Sequence, residues 1–345
     1  MKAYFDKANF ESFILQRSKN QAKFDRCNEL IKRYLDVLLN MTLEEFNSSP
    51  TCISWLTTAT DGARKFPKLD PKAFMEFFDE DNEVYLDGFS QDNYSSVYLL
   101  SNDRVQSLSS KVSLLVGNEG SEIDILDSLY IDEDTNFIKS LPPLQHFNGS
   151  HDWEPLSDYV FPCSDIIIRD AYLLVNKKLH PYDKNIYSLL LKLTQKVKND
   201  KVNIVIICLR HGSSSEKNEP QWDDIRNEIK SLLKSVNNVE AKVTYVVIEK
   251  KRDIGHDRTV FTNYVHYMPH DSIGNFYGRD GSYTSESEQF GLRSIVPESL
   301  YTEAFDFVKI MQGLIYEILI EGEKVGEIKE DPSGGVLSNY LKFEI

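Results

Sequence analysis

The sequence predicts an α/β protein built from two domains, and three observations support this prediction. The chain has 345 residues, which is enough for two domains that each bury a core. Its second half alternates apolar strand patterns with amphipathic helical patterns, an order typical of a mostly parallel sheet covered by helices. Its first half mixes helical patterns with short extended runs. We therefore predict an α+β domain over residues 1–150 and an α/β/α domain over residues 151–345.

The first half begins with a helical pattern over residues 23–40, in which apolar residues recur every three or four positions. A second helix is predicted to begin at Asp70, because an aspartate followed by Pro71 is a typical N-cap and first helical residue. Three short runs are predicted to be extended: 83–88, 96–101 and 111–117. Turn-forming residues are frequent in the stretch 118–158, so we place the domain boundary near residue 150.

The second half has a more regular pattern. Three apolar runs rich in β-branched residues are predicted to form strands: 162–175, 201–210 and 242–249. Asp183 is the predicted N-cap of a helix between the first two strands, and an amphipathic helix containing Trp222 lies between the last two. This order predicts parallel strands joined by right-handed crossovers. A hairpin-like stretch over 255–276 and a long helix over 300–320 follow.

The protein carries a formal net charge of −15, from 54 acidic and 39 basic residues. Proteins that bind nucleic acid over a broad surface usually present a basic face, because the neutralisation of phosphates drives that association. The composition therefore argues against a protein that coats nucleic acid. It is compatible with a small pocket for one phosphate group.

No segment of the sequence predicts a membrane span or a secretory leader. The longest apolar runs, such as 204–209, are far shorter than a membrane span requires. The first ten residues do not show a basic stretch followed by an apolar one. The four cysteines are scattered, without a CxxC pair or histidines at ligand spacing. We therefore expect a cytoplasmic protein with buried free thiols and with no metal or other cofactor.

Polar residues lie where the predicted strands of the second half end. Asp170 interrupts the first strand, Arg210 and His211 follow the second, and Lys250, Lys251 and Arg252 follow the third. Ligands of open α/β sheets bind at the carboxyl ends of the parallel strands, so we expect these side chains to lie close together. They suit a ligand site, and equally they can be no more than the polar residues at which strands end. Further along, His256, Asp257 and Arg258 suit either the binding of a phosphate group or an internal ion-pair network that closes a strand end, and Asp170 opposite Arg258 would fit both.

The spacing His256-x-Arg258-x4-Asn263 resembles the HxKxxxxD motif of the phospholipase D superfamily, and Gly274-Asn275 stands where that family has a small-residue turn. In the family the histidine attacks the phosphodiester phosphorus, the lysine holds its oxygens and the acid supports the motif. Carried over position by position, the resemblance implies catalytic roles for His256, Arg258 and Asn263 and ligand contacts for Asp170, Asp257, Gly274 and Asn275.

The order of elements over about residues 160–280 most closely resembles the C-terminal phospholipase-D-like domain of MIT-domain proteins of the endosomal-sorting machinery. That group has an Asp-x-Tyr step after its first strand, which matches residues 170–172. It also has an HDR step that leads into a hairpin, which matches residues 256–258. The same HDR pattern resembles domains of bacterial phage-defence proteins. The resemblance implies a phospholipase-D-like α/β/α fold for the second domain.

Two departures from the family pattern argue against full catalytic activity. Arg258 replaces a lysine, and its planar guanidinium suits the binding of two phosphate oxygens. Asn263 replaces an acid and cannot support a charged imidazole, although it also fits a tight turn. A complete site needs a second histidine, and with one motif per chain this would require a dimer with a two-fold axis. His266 and His270 lack the surrounding motif, and strand alternation predicts that His266 is exposed.

Three functions are compatible with these patterns. The favoured one is a phosphate- or phosphodiester-recognising protein with weakened catalysis, acting as a subunit or sensor in an intracellular bacterial system such as phage defence. Its ligand would be a nucleic-acid end, a nucleotide or a lipid headgroup, and a protein partner would bind through residues 1–150. The second is an active homodimeric phosphodiesterase or nuclease that uses His256. The third is an interaction scaffold with no ligand site.

Overall fold

A computed structural model of the chain describes most of its residues. The described residues are 1–59, 65–132, 137–141, 153–174, 182–210, 220–250, 254, 258–278, 280, 290–333 and 338–341.

The chain divides into two compact units. Unit 1 comprises Met1–Phe137 and Ser294–Tyr301, and unit 2 comprises Ile138–Arg293 and Thr302–Ile345. The segment Ser294–Tyr301 is distant in sequence from the rest of unit 1, and no sequence pattern indicated that it belongs there. The predicted boundary at residue 150 lies outside the described residues.

Unit 1 contains a five-stranded sheet in the order β3-β2-β1-β4-β5. Its strands are β1 Lys2–Asp6, β2 Asp36–Asn40, β3 Lys68–Leu69, β4 Val97–Leu99 and β5 Leu115–Gly117. Each ladder between these strands is parallel. Our prediction of an α+β first domain was therefore wrong, since unit 1 is a parallel α/β structure. Strands of two to five residues are too short to show the repeating pattern of a parallel sheet in the sequence.

The helices of unit 1 alternate with these strands along the chain, and the last helix follows β5. They are α1 Lys7–Leu15, α2 Gln21–Arg33, α3 Leu43–Ser48, α4 Pro50–Ala59, α5 Pro71–Met75, α6 Asn102–Lys111 and α7 Glu122–Ser128. The predicted cap of α5 is confirmed, because the Asp70 side chain accepts a hydrogen bond from the Ala73 N–H at 3.1 Å.

Two local predictions in unit 1 were wrong. The helix predicted over 23–40 ends at Arg33, and its last part is strand β2. Val37 and Leu39 pair with residues of β1 and are buried, whereas the other residues of β2 are less buried. Pairing in the sheet therefore outweighs the helical spacing of the apolar residues in this stretch. The run 83–88 does not form a strand either, because Leu86–Gly88 is a single 3₁₀ turn.

The second sheet has eight strands in the order β13-β9-β8-β7-β10-β11-β12-β6. They are β6 Ile138–Leu141, β7 Asp165–Arg169, β8 Lys201–Leu209, β9 Glu240–Ile248, β10 Thr259–Thr262, β11 Val265–Pro269, β12 Phe290–Ser294 and β13 Gly326–Lys329. The central strands β7, β8 and β9 are parallel, as predicted. Strand β10 is antiparallel to both β7 and β11, and β13 is antiparallel to β9.

In the part of the chain that the structure describes, the helices of six or more residues after β7 are α8 Ser188–Leu193, α9 Trp222–Asn237 and α10 Glu298–Glu321. A one-turn π-helix, Asp183–Tyr187, leads directly into α8. Asp183 was predicted as an N-cap, but it lies inside this turn and the preceding residue makes no side-chain cap. None of the helices in the described ranges is long and apolar enough to cross a membrane. All four cysteines are buried and free, as predicted.

Candidate functional site

The strand register brings two of the predicted site residues together. Asp170 directly follows β7, and Arg258 directly precedes β10. These strands are antiparallel, with Thr259 opposite Arg169, so Arg258 and Asp170 are neighbours at the carboxyl end of β7. This is the end of the parallel sheet at which ligands of open α/β folds bind.

Asp170 is completely buried and accepts hydrogen bonds from three groups. The Tyr172 N–H donates at 3.0 Å, the Ser272 hydroxyl at 2.8 and 2.9 Å, and the Ile273 N–H at 2.7 Å. Burial raises the pKa of Asp170, whereas these donors and the positive charge of Arg258 oppose that rise. The carboxyl group therefore ties the loop after β11 to the end of β7.

Gly274 lies in that loop, within the single 3₁₀ turn Ile273–Asn275. A Cβ atom at Gly274 would lie 2.6 Å from the Leu173 carbonyl oxygen and 3.1 Å from that of Tyr172. Glycine is needed because the two backbones approach too closely for any side chain. The Gly274-Asn275 turn thus packs directly on the segment that follows Asp170.

Arg258 is partly exposed and incompletely hydrogen-bonded within the described part of the chain. One terminal guanidinium nitrogen donates to the His270 carbonyl oxygen at 3.0 Å. Its Nε atom is buried and has no acceptor among the described residues. A buried donor without an acceptor is unfavourable, and an anionic oxygen is the acceptor that a guanidinium binds most strongly.

Arg210, at the end of β8, has its charge neutralised within the chain. Its side chain forms an ion pair with Glu249 and another with Glu327, the latter at 2.9 Å. Of the two described arginines predicted at this edge, Arg258 is thus the one without a carboxylate partner at ion-pair distance among the residues that the structure describes.

His256 and Asp257 lie outside the described residues. Their predicted roles as nucleophile and ligand contact therefore stay predictions. Among the described residues, no group of three or more His, Cys, Asp or Glu side chains is arranged to hold a metal ion.

Asn263 lies away from Arg258, in the turn between β10 and β11. Its Oδ1 accepts from the backbone N–H groups of Ser164 and Asp165 at 2.9 and 3.2 Å, and its Nδ2 donates to the Ser164 hydroxyl at 3.0 Å. These partners lie at the start of β7, whereas Asp170 lies at its other end. The buried amide thus holds a strand end, and the alternative interpretation of Asn263 as a turn residue matches this position.

Sequence reasoning missed the buried carboxylate of Asp165. It accepts from the Ser164 hydroxyl at 2.6 Å, from Asn203 Nδ2 at 3.3 Å and from two Asn339 nitrogens at 2.9 Å each. A signal was present, since an acid at the start of an isoleucine-rich strand is unusual unless it is paired. This network fastens the segment around Asn339 to β7 and is structural.

The prediction for His266 was wrong, because this histidine is only 5% exposed. Its ring stacks on Phe307, with the ring centroids 5.5 Å apart. Burial and the charge of Arg293 lower the pKa of His266 to about 4. Strand alternation predicted exposure because it cannot show that α10 covers this face of β11.

Comparison with models of known protein families finds no match for this chain, and comparison with curated proteins finds none. The likeness to the phospholipase D superfamily therefore rests on the residue pattern alone.

Proposed function

We propose that unit 2 recognises a phosphate or phosphodiester group through Arg258, in a phospholipase-D-like site with weakened catalysis. The observation that supports this most is the Arg258 guanidinium, which lies at the carboxyl end of β7 with a buried Nε–H that lacks an acceptor among the described residues. An oxygen of a phosphate group bound there would accept from that N–H.

Two neighbouring polar groups already have hydrogen-bond partners within the chain, and this favours recognition over catalysis. The Asn263 amide is occupied by the backbone at the far end of β7, so no acid supports the motif from that position. The Asp170 carboxyl group is occupied by three donors of its own loops. An imidazole nucleophile gains much of its activity from a free carboxylate that orients it and stabilises its charged form.

The proposed biological role follows from the resemblance of the HDR pattern to domains of bacterial defence proteins. We propose a subunit or sensor of an intracellular bacterial system such as phage defence, which recognises a nucleic-acid end, a nucleotide or a lipid headgroup. The net charge of −15 fits a local site for one phosphate group better than an extended nucleic-acid surface.

Replacing Arg258 with alanine is expected to weaken the binding of a phosphate ligand by roughly 10- to 150-fold, because a charge-assisted hydrogen bond contributes about 1.5–3 kcal/mol. The measurement is a fluorescence-anisotropy titration with a labelled single-stranded oligonucleotide that carries a 5′-phosphate. Arg258→Lys, which keeps the charge but lacks the Nε–H and the planar guanidinium, is expected to retain only part of the affinity. Arg210→Ala is the matched control, since that arginine is already paired with two glutamates. Equal affinities for the wild type and Arg258→Ala would rule out this site.

The same titration separates the alternative functions. The oligonucleotide is expected to remain intact after prolonged incubation in the presence of a metal chelator. Cleavage that is lost in His256→Ala would instead favour the homodimeric phosphodiesterase. No binding of the phosphorylated oligonucleotide, of a nucleotide or of anionic lipid vesicles would favour the scaffold without a ligand site.

A further inference from the structure

A groove with a volume of about 650 Å³ lies in unit 2, between the first turns of α9 and the chain at the end of β13. We call it the α9–β13 groove. Its walls include Pro220, Trp222 and Asp224 on the α9 side and Lys329, Glu330 and Pro332 on the β13 side. Ligand-binding pockets of proteins have volumes in this range. None of the residues that line the groove belongs to the proposed phosphate site.

Two largely buried side chains hold the walls of the α9–β13 groove together. Arg226 is only 4% exposed, and its guanidinium donates to the carbonyl oxygens of Lys329 at 2.9 Å and Val243 at 3.0 Å. One turn further along α9, Lys230 forms an ion pair with the buried carboxylate of Asp331 at 3.0 Å. The groove is therefore formed before a ligand arrives, and binding does not need to order its walls.

The charges that remain free in the α9–β13 groove are negative. Its two basic side chains, Arg226 and Lys329, each form an ion pair with an acid of the chain. Asp224 and Glu330 are exposed and have no ion-pair partner among the residues that the structure describes. A ligand with a positive charge is therefore complementary to this groove.

The other features of the α9–β13 groove favour a peptide over a small cation. Trp222, Pro220 and Pro332 line the groove beside the free carboxylates and offer contact to an apolar side chain. Strand β13 lies at the edge of the eight-stranded sheet, with β9 as its one neighbour among the described strands. An open sheet edge can pair with the backbone of an extended peptide.

We propose that the α9–β13 groove binds an extended segment of a partner protein, in which a lysine or arginine stands next to an apolar residue. The basic side chain pairs with Asp224 and Glu330, and the apolar side chain packs against Trp222 and the prolines. This inference goes beyond the phosphate site and does not require it, because the two sites share no residue.

The test is a fluorescence-anisotropy titration of a labelled Gly-Arg-Leu-Arg-Gly peptide with the full chain, from micromolar to near-millimolar concentration. The wild type is expected to bind the peptide saturably, and more weakly as the salt concentration rises. Asp224→Lys and Glu330→Lys should each weaken binding by roughly 10-fold, because each turns an attractive pair into a repulsive one. Glu317→Lys is the matched control and should bind like the wild type, since it makes the same change in net charge at an exposed position of α10 outside the groove.

Two further peptides test the two parts of the proposed ligand. Glutamate in place of both arginines should abolish binding, and glycine in place of leucine should weaken it.

The proposal is overturned if the wild type does not bind the first peptide over the whole range. It is also overturned if Glu317→Lys weakens binding as much as the groove variants do, since the peptide would then respond to net charge alone. Equal affinities for the leucine and glycine peptides would exclude the apolar contact and overturn it too. The substituted side chains are exposed, so thermal unfolding of each variant should match that of the wild type and exclude misfolding as the cause of weaker binding.

Discussion

Asp170→Ala is expected to lower the free energy of unfolding of unit 2 by about 3–5 kcal/mol, because it leaves several buried donors without an acceptor. The donors are the N–H groups of Tyr172 and Ile273 and the hydroxyl of Ser272. Arg258 also loses the opposite charge of its neighbour across the β7–β10 ladder. Denaturant titration followed by tryptophan fluorescence measures the effect, since Trp153 and Trp222 both lie in unit 2.

Two further variants separate this effect from a general loss of an acidic side chain. Asp306→Ala removes a carboxylate whose side chain is 59% exposed and should change stability by no more than about 0.5 kcal/mol. Asp170→Asn keeps the shape of the side chain and one acceptor oxygen. Its loss of stability should therefore lie between those of Asp170→Ala and Asp306→Ala. A loss below about 1 kcal/mol for Asp170→Ala would show that the carboxyl group does not hold the two loops together.

The second large effect is a change in the free energy of unfolding with pH, which arises from the protonation of His266. Its pKa falls to about 4 in the folded protein, whereas a histidine in the unfolded chain has a value near 6.5. Below pH 6.5 the unfolded state binds a proton that the folded state does not. The stabilising contribution is therefore present above pH 6.5 and is lost as the pH falls towards 4. The loss amounts to roughly 3 kcal/mol at pH 4.

His266→Leu should remove this dependence, because leucine does not titrate and can still pack on Phe307. The measurement compares the free energies of unfolding of the wild type and the variant at several values between pH 7 and pH 4. The difference between the two proteins should change by roughly 3 kcal/mol over that range. Parallel curves for the wild type and His266→Leu would contradict the burial of this histidine.

The regular part of the fold could be predicted from the sequence because its elements are long. Strands β8 and β9 have nine residues each, nearly all buried, and they alternate with an amphipathic helix of 16 residues. The fold of unit 1 was harder to predict from the sequence because its strands have at most five residues. In such short strands a helical spacing and a strand spacing cannot be told apart, as the change from α2 to β2 shows.

The candidate site was predictable only where strand order determines it. Asp170 and Arg258 lie at the ends of two neighbouring strands, so the topology alone makes them neighbours. The Ser272 hydroxyl that binds Asp170 is 102 residues away in sequence, and no local pattern connects them. The position of Asn263 at the opposite end of β7 likewise depends on a contact across 99 residues.

The proposed function depends most on direct contact between the Arg258 guanidinium and a bound phosphate group. The measurement that tests this contact is the ¹H–¹⁵N spectrum of the arginine Nε–H groups, with the Arg258 signal assigned by its absence in Arg258→Lys. During titration with a 5′-phosphorylated oligonucleotide, we predict that the Arg258 signal shifts and saturates together with binding. A nucleoside, which carries neither a phosphate nor a phosphodiester group, should leave it in place. Saturation of binding with an unchanged Arg258 signal would contradict the account.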